Sequence, residues 1–298
     1  TRRWPELGVL VNASCHLPSL IAEATKKLRD RCGDRAVFEA RLLLGIATGS
    51  DEAIYPHMSV QPTEQQIAHY DTLIAQRCAG KPISRIRGWR EFWSLRFYLN
   101  SATLDPRPES ELLIDKAISF AESQHIMQNQ QFRVLDLGTG SGCLLLACLS
   151  AIKHATGVGI DINEQAIIQA QMNARSLNLE ARSEFFVSNW FDGLGDKSFD
   201  MVLCNPPYIP TEDEASLQDE VRLFDPKQAL FSHNQGLADY EIIFASLAGY
   251  LNPNGIACVE IGHKQSEQVM ELAYRFNLNV REVLPDLQGI PRCLVLCH

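Results

Sequence analysis

Two short stretches of this 298-residue chain carry the residue types of a reactive site. The first is Val134-Leu135-Asp136-Leu137-Gly138-Thr139-Gly140-Ser141-Gly142, an apolar run that passes into glycines and then into a helical pattern. Glycine lets the backbone turn sharply and approach a ligand closely, and the helix N-terminus beyond favours negative or polar groups. The spacing is Gly-x-Gly-x-Gly, with Cys143 standing where a dinucleotide fingerprint places its third glycine. No Gly-Lys-Ser/Thr follows, which excludes a phosphate-cradling P-loop. Asp161 ends the next apolar run, 19 residues beyond Gly142, where a carboxylate can accept from both hydroxyls of a ribose. The loop alone also fits a tight strand-to-helix turn. Joined to Asp161, it reads as the site of a nucleoside-containing cofactor.

The second stretch is Asn205-Pro206-Pro207-Tyr208, which follows the fourth apolar run of the same region. Two prolines in sequence have fixed φ angles and no N–H to donate, so the loop is rigid and presents carbonyl acceptors. The Asn205 side-chain carbonyl is a further acceptor, and Tyr208 offers a ring face on which a planar group can stack. A plain Pro-Pro turn is the alternative. The combination suits a planar –NH2 group held by both hydrogens with its nitrogen aimed at a neighbour.

The elements that must position these residues are legible from periodicity. After residue 130 strands and helices alternate: Arg133–Leu137, Thr156–Asp161, Glu184–Ser188, Phe199–Cys204 and Gly255–Ile261 as strands. Helical segments lie near Cys143–Ala151, Glu164–Leu177, Asp239–Tyr250 and Lys264–Arg275. Such alternation implies a mostly parallel sheet covered on both faces. Val280–Leu284 and Arg292–Cys297 are too close for a helical crossover and should pair antiparallel. The fold class expected is therefore α/β: a doubly wound, seven-stranded, mostly parallel sheet ending in an antiparallel strand. In such sheets ligands bind at the carboxyl edge, where the glycine loop, Asp161 and Asn205 all fall.

The first ~80 residues read as a small helical domain. One helix opens at Pro18-Ser19 with Leu20, Ile21, Ala24 and Leu28 on one face; Asp34 is read as the cap of a second through Phe38, Leu42, Leu43 and Ile46. A third begins at Pro62-Thr63, with Ile67, Tyr70, Leu73 and Ile74 apolar, and ends at Gly80-Lys81-Pro82. From Ile83 to Thr103 the period becomes two, predicting a β-hairpin between the domains. Domain bounds of 1–82, 83–105 and 106–298 follow, with a helix starting near Glu109.

Charge divides the chain at the same places. Residues 1–80 carry nine basic and nine acidic side chains, residues 81–107 are net +4, and residues 108–298 are net −13, for −9 in all. The basic part is also aromatic, holding Trp89, Phe92, Trp93, Phe97 and Tyr98. It reads either as a solvated strand pair with a partly buried aromatic face or as a docking surface beside the site. Net acidity argues against indiscriminate binding of nucleic acid. No stretch reaches the ~18 apolar residues of a membrane span, and Thr1-Arg2-Arg3-Trp4-Pro5 leads into no signal-peptide core. Nine scattered cysteines without Cys-x-x-Cys spacing suit a reducing cytoplasm, and eight histidines form no ligand-spaced pair, so no metal is expected. Cys204 reads as a buried strand residue rather than a nucleophile. Glu212-Asp213-Glu214 is either a solvated loop or a substrate-side lid.

Gly138–Gly142, Asp161 and Asn205–Tyr208 together resemble class I S-adenosylmethionine-dependent methyltransferases that modify amino nitrogens, including DNA adenine N6- and protein glutamine N5-methyltransferases. Arg85-Ile86-Arg87-Gly88-Trp89-Arg90-Glu91-Phe92-Trp93-Ser94-Leu95 and Leu104-Asp105-Pro106-Arg107-Pro108-Glu109-Ser110-Glu111 look like the linker of the peptide chain release factor glutamine methyltransferase (HemK) family. So do Ser188-Asn189-Trp190-Phe191 and Glu260-Ile261-Gly262. The resemblance covers nearly the whole chain. It implies methylation of the glutamine in the Gly-Gly-Gln motif of release factors by a monomeric cytoplasmic enzyme that contacts neither nucleic acid nor membrane. It also implies that Gly138, Thr139, Gly140, Ser141, Gly142, Asp161, Trp190 and Asn205 hold S-adenosyl-L-methionine. Asn205, Pro206, Pro207 and Tyr208 would hold the glutamine amide, with Asn205, Pro206 and Tyr208 catalytic.

Three positions depart from the family pattern: Asn189 where an acid is common, Asp105 where an apolar residue precedes Pro-Arg-Pro, and the ending Arg292-Cys293-Leu294-Val295. A ribosomal-protein glutamine methyltransferase shares every catalytic motif, and only the linker separates it. A DNA adenine methyltransferase needs a target-recognition region and basic surface to flip a base, against the −13 of residues 108–298. A non-catalytic translation-factor-binding module is opposed by the intact motifs.

Overall fold

Among the described residues, three helices and a short fourth build the first of two compact units, Thr1–Arg87: α1 (Leu17–Cys32), α2 (Ala36–Thr48), α3 (Glu64–Cys78) and α4 (Ile83–Arg87). The computed structural model describes residues 17–124 and 131–298; Thr1–Pro5, Cys15, His16 and His125 lie outside the described residues. Ile21, Ala24, Leu28, Leu43, Tyr70, Leu73 and Ile74 form the core of this unit. Thr63 starts α3 with a capping box, accepting from Gln66 N while the Gln66 side chain accepts from Thr63 N.

Two details differ from the sequence reading. A 3-10 turn, Gly33–Arg35, precedes α2, and no side chain caps the start of α2. Phe38 is 53% exposed, and Glu39 faces inward instead at 1%. The inversion has an electrostatic cause: Glu39 accepts from Arg77 Nε at 2.6 Å and from Arg35 Nη2 at 2.6 Å. Burial disfavours the Glu39 charge, but the hydrogen bonds from Arg77 and Cys32, with the nearby guanidinium charges, outweigh it and hold the pKa below the ordinary value.

The second unit, Gly88–His298, opens with the hairpin β1 (Trp89–Phe92) and β2 (Leu95–Tyr98). The expected strand from Ile83 is instead helix α4, whose Ile83 and Ile86 pack on the helical core at i, i+3 spacing. The hairpin loop is Trp93-Ser94, with φ of 52° and 56°. Positive φ at both central residues matches the right-handed twist of the strands. Phe92 and Phe97 turn inward edge to face, 6.2 Å apart, while Arg96 and Tyr98 face out. Arg96 also lies 3.9 Å over the Trp89 ring.

Helix α5 (Glu111–Ser123) follows a 3-10 turn at Pro108–Ser110, and the α/β body begins. Its strands are β3 (Phe132–Leu137), β4 (Ala155–Asp161), β5 (Ser183–Val187), β6 (Phe199–Cys204), β9 (Leu251–Glu260), β10 (Asn279–Pro285) and β11 (Pro291–Cys297). They lie in the order β10-β11-β9-β6-β3-β4-β5, and β11 alone runs against its neighbours. The sheet has the seven strands and the antiparallel member expected. Side chains alternate between two cores, as a strand buried on both faces requires. Val134, Met201, Leu203 and Ile256 pack with α5, α6 (Cys143–Ala151) and α7 (Glu164–Ser176). Leu135, Leu137, Val202 and Val259 pack with α10 (Ala238–Leu247) and α11 (Ser266–Arg275).

Between β6 and α10 the chain makes a long excursion that periodicity did not resolve. Two-residue strands β7 (Ile209–Pro210) and β8 (Phe231–Ser232) pair in parallel, with α8 (Asp219–Phe224) between them. The single turn α9 (His233–Gly236) follows, with Asn234 and Gln235 left-handed. No helix among the described residues is long and apolar enough to cross a membrane.

Replacing Glu39 by Ala removes the carboxylate from beside an Arg77 that is 4% exposed. We expect the helical unit to lose about 3–5 kcal/mol, as for a broken buried ion pair. Urea denaturation followed by helical circular dichroism measures it; a loss under about 1 kcal/mol, as for a surface pair, contradicts the assignment.

Candidate active site

The sheet register places the reactive residues in one row. Leu137 pairs with Ile160 on one side and Cys204 on the other, and Cys204 pairs with Val259. Gly138, Asp161, Asn205 and Glu260 are each the next residue along their strands. All four therefore emerge together at the carboxyl edge. The chain order reverses there, β4 and β5 lying on one side of β3 and β6 and β9 on the other. Such a switch point leaves a crevice for ligands.

A cleft of about 1140 Å³, counted to its open mouth, occupies that crevice. Gly138, Thr139, Gly140 and Ser141 line it, with Asp161, Trp190, Asn205 and Pro207. Of the other residues singled out from sequence, Gly142, Pro206 and Tyr208 stand outside its lining. Gly142 is the left-handed N-cap of α6, and a Cβ there would meet Leu146, Ala170 and Phe185 at 3.1–3.4 Å. Pro206 is buried, and Tyr208 packs on the α10–α11 core. Residues 102–110 supply a further wall through Ala102, Leu104, Pro106, Arg107 and Ser110.

Several hydrogen bonds hold the glycine loop. Thr139 N donates to Ile160 O at 2.8 Å, and Gly140 N to Asp161 Oδ2 at 2.9 Å. Asp161 Oδ1 accepts from Asn163 N at 2.9 Å. The carboxylate thus accepts from the backbone at both oxygens, and its four lone-pair sites leave capacity for a further donor. Burial raises the Asp161 pKa, opposed by the backbone N–H groups. At Gly140 a Cβ would meet no atom nearer than Gly138 O at 4.0 Å, so the φ of +55° calls for glycine rather than crowding. An acid with acceptor capacity left beside a glycine turn fits the hydroxyls of an adenosine ribose.

Behind the loop lie groups the sequence reading missed. Asp136, fully buried, accepts from Thr139 Oγ1 at 2.6 Å and Leu145 N at 3.3 Å. Burial pushes its pKa up to about 7, with the Asp161 charge adding to the rise. Asn173 of α7, also fully buried, donates to Ser141 O at 2.8 Å and Tyr98 O at 3.0 Å, and accepts from Tyr98 N at 2.9 Å. It clips the glycine loop to the hairpin. An acid within the apolar run Val134–Leu137 was a visible signal for Asp136; nothing local marked Asn173.

The Asn-Pro-Pro-Tyr loop is held from below. Asn205 Nδ2 donates to Ser110 Oγ at 3.1 Å, Ser110 Oγ donates to Glu260 Oε2, and Tyr208 Oη donates to Glu260 Oε1 at 3.4 Å. Gln265 Nε2 donates to Tyr208 O at 3.0 Å. Gly236 and Gly262 leave room for this packing: a Cβ on Gly236 would lie 2.1 Å from Tyr208 O, and one on Gly262 3.0 Å from its ring. Burial, with the Glu260 charge, raises the Tyr208 pKa, so the hydroxyl stays protonated.

The departures also find partners. Asp105, 3% exposed, has Arg90 Nε 3.9 Å from Oδ1, and its N–H donates to Asp225 Oδ1. Asp225 also binds Arg107 Nη2, which ties the 102–110 wall to the excursion after β6. Arg292 Nε meets Asp286 Oδ2 at 3.0 Å. Exposed Asn189 turns its Nδ2 toward Asp192 Oδ2 at 3.4 Å, which leaves its carbonyl as the open end. The Glu212–Glu214 cluster is an exposed 3-10 segment, with Lys227 Nζ 2.6 Å from Glu214 Oε1. Cys204 is fully buried, and burial raises its pKa well above the ordinary thiol value.

Comparison with known proteins agrees with this geometry. Residues 112–225 match the Methyltransferase small domain, and residues 19–88 the PrmC N-terminal domain. A release factor glutamine methyltransferase of Rhodospirillum rubrum is 39% identical over 86% of this chain and 77% of its own length. One of Bradyrhizobium diazoefficiens is 38% identical over 90% of both. The chain belongs to the release factor glutamine methyltransferase family. The fold agrees with two solved methyltransferases: the hMettl16 catalytic domain has a TM-score of 0.54 at 16% identity, covering 76% of this chain and 81% of that one. A methyltransferase from Pyrococcus furiosus has 0.50 at 14%, covering 77% and 98%.

The raised pKa of Asp136 makes stability depend on pH. Between about 4 and 7 the folded carboxyl keeps a proton that the unfolded one has lost, so its contribution falls as pH rises. Asp136→Asn removes the titration. We expect melting temperatures of the original chain to fall more steeply from pH 5 to pH 8 than those of the variant, by scanning calorimetry. Parallel curves contradict the assignment.

Proposed function

We propose that this chain transfers the methyl group of S-adenosylmethionine to the N5 amide nitrogen of the glutamine in the Gly-Gly-Gln motif of peptide chain release factors. The observation that carries the reading is the opening of Asn205, the glycine loop and Asp161 on one cleft, one residue beyond one sheet row. The names of the relatives support the choice of substrate.

In this reading Gly138, Thr139, Gly140 and Ser141 take the cofactor against the backbone, with Gly142 shaping the turn. Asp161 accepts from the ribose hydroxyls, and Trp190 and the Asn189 carbonyl face the adenine. Bound there, S-adenosylmethionine supplies a methyl group on an electrophilic sulfonium. The chain's own task is placement, because an amide nitrogen is a poor nucleophile whose lone pair is delocalised into its carbonyl. Asn205 Oδ1 and a proline carbonyl of the loop accept the two amide hydrogens and aim the nitrogen into the cleft. The same acceptors stabilise the positive charge that grows on nitrogen as the methyl arrives. Pro207 and Tyr208 keep the loop rigid.

Residues 1–82 serve as the release-factor docking domain, and 83–105 as the linker. The enzyme works as a cytoplasmic monomer, and the net −13 of residues 108–298 keeps nucleic acid from the catalytic domain.

Labelled cofactor, offered with a release factor, a ribosomal protein and duplex DNA in turn, should mark the release factor alone. Asn205→Ala should cut turnover by about 100-fold or more while retaining cofactor binding. Asp161→Ala should weaken cofactor binding about tenfold or more, as for the loss of hydrogen bonds to a charged group. Label confined to ribosomal protein or DNA, or full activity in Asn205→Ala, overturns the proposal.

A further inference from the structure

The chemistry above uses Asn205 but not the two buried residues on which it stands. Ser110, 3% exposed, precedes α5; Glu260, 2% exposed, is the last residue of β9. They are 150 positions apart in the chain and in direct contact. A serine hydroxyl has one hydrogen and two lone pairs. Here the hydrogen goes to Glu260 Oε2, so Ser110 has only lone pairs to offer Asn205, and Asn205 Nδ2 donates to it at 3.1 Å.

That bond has a direction. A side-chain amide carries hydrogens at one end and lone pairs at the other. With Nδ2 committed to Ser110, the free end of Asn205 is its carbonyl Oδ1. An ionised carboxylate has no hydrogen to give, so Glu260 in that form admits only this sense of the chain of bonds. We propose that Glu260, acting through Ser110, is a positioning pair that holds the Asn205 amide with its carbonyl toward the substrate, so that the site accepts the –NH2 of a carboxamide and refuses a carboxylate. The proposal rests on the functional reading above and adds how the site distinguishes glutamine from glutamate. A glutamate side chain would set oxygen lone pairs against those of Asn205.

A carboxylate in an apolar setting is costly, which makes its presence informative. Glu260 is faced by Tyr208 after β6 and Glu109 before α5, and on β11 by Arg292. Cys204, Tyr240 and Cys293 complete the titratable surroundings, with Tyr240 Oη donating to the Glu260 backbone carbonyl at 2.9 Å. Burial pushes the Glu260 pKa up to about 7; Ser110, Arg292 and Tyr208 oppose the rise and Glu109 adds to it. Once protonated, Glu260 can donate to Ser110, which frees the serine hydrogen for Asn205 and favours the inverted amide. Turnover should therefore rise with pH through about 7.

The test uses the full chain with a release factor and S-adenosylmethionine. Ser110→Ala, assayed at a temperature where it remains folded, should lower kcat about 10–100-fold while leaving the affinity for S-adenosylhomocysteine near that of the original chain; Ser110→Thr, which keeps the hydroxyl, should restore most of the rate. In an Asn205→Ala background, Ser110→Ala should cause no further loss. Glu260→Gln should flatten the limb of the pH profile near neutrality. Independently of activity, the 15N side-chain amide signal of Asn205 should shift with a midpoint near pH 7, and stay still in Glu260→Gln. Unchanged kcat in Ser110→Ala, or an Asn205 signal at pH 8 that Glu260→Gln leaves unmoved, overturns the positioning pair. A chain that leaves the release factor unmodified while its Asn205 signal titrates overturns the functional reading and retains the pair.

Discussion

The register of a parallel sheet is the constraint on which this molecule turns. Side chains in a strand alternate faces, so a slip of one residue between β3 and β6 would send Asn205 to a different height and exchange the two cores. The ladder Leu137–Ile160–Cys204–Val259 fixes that height across four strands. Every residue of the ladder is fully buried or nearly so, between helices on both faces. Apolar packing, which has no directional preference, thereby specifies the position of groups whose chemistry depends on direction.

The two halves of the cleft have separate supports. Asp136 and Asn173 brace the glycine loop from β3 and α7, while Ser110, Glu260 and Gln265 brace the Asn-Pro-Pro-Tyr loop from the turn before α5, the end of β9 and the residue before α11. The bonds of each set lie within its own half of the cleft. Each support is buried and polar, the arrangement that is expensive when incomplete and highly specific when satisfied. Substitutions in one set should therefore bear on one half of the proposed reaction, cofactor or amide, and combine nearly additively with substitutions in the other.

Sequence was most informative where structure is periodic or where a motif forces the backbone. Alternating apolar runs placed all seven sheet strands to within a few residues, and the short Pro285–Pro291 connection correctly demanded an antiparallel end. The glycine loop and the two prolines announced themselves because few other residues permit those conformations. Sequence was misleading where a long-range partner overrides a local pattern. Phe38 looked apolar and inward, yet Arg77 draws Glu39 inside instead. Ile83–Arg87 continued a two-residue rhythm, yet Ile83 and Ile86 fit the helical core. The excursion from Ile209 to Gly236 has two-residue strands and single turns, too short for any periodicity to register. Ser110 and Glu260 were invisible as a pair for the plainest reason: nothing in a sequence says that residues 150 apart will share a proton.

The hydrogen-bond chain under Asn205 also explains why a rigid loop alone would not suffice. Prolines fix where the backbone carbonyls lie, but an asparagine amide presents nearly the same shape whichever way round it sits. Steric fit cannot choose between its two ends; only a partner of fixed polarity can. A serine whose hydrogen is already spoken for is such a partner, and a buried carboxylate is the group best able to claim that hydrogen. The shape of the proposed amide site thus comes from Pro206 and Pro207, and its polarity from an acid two bonds away at the end of β9.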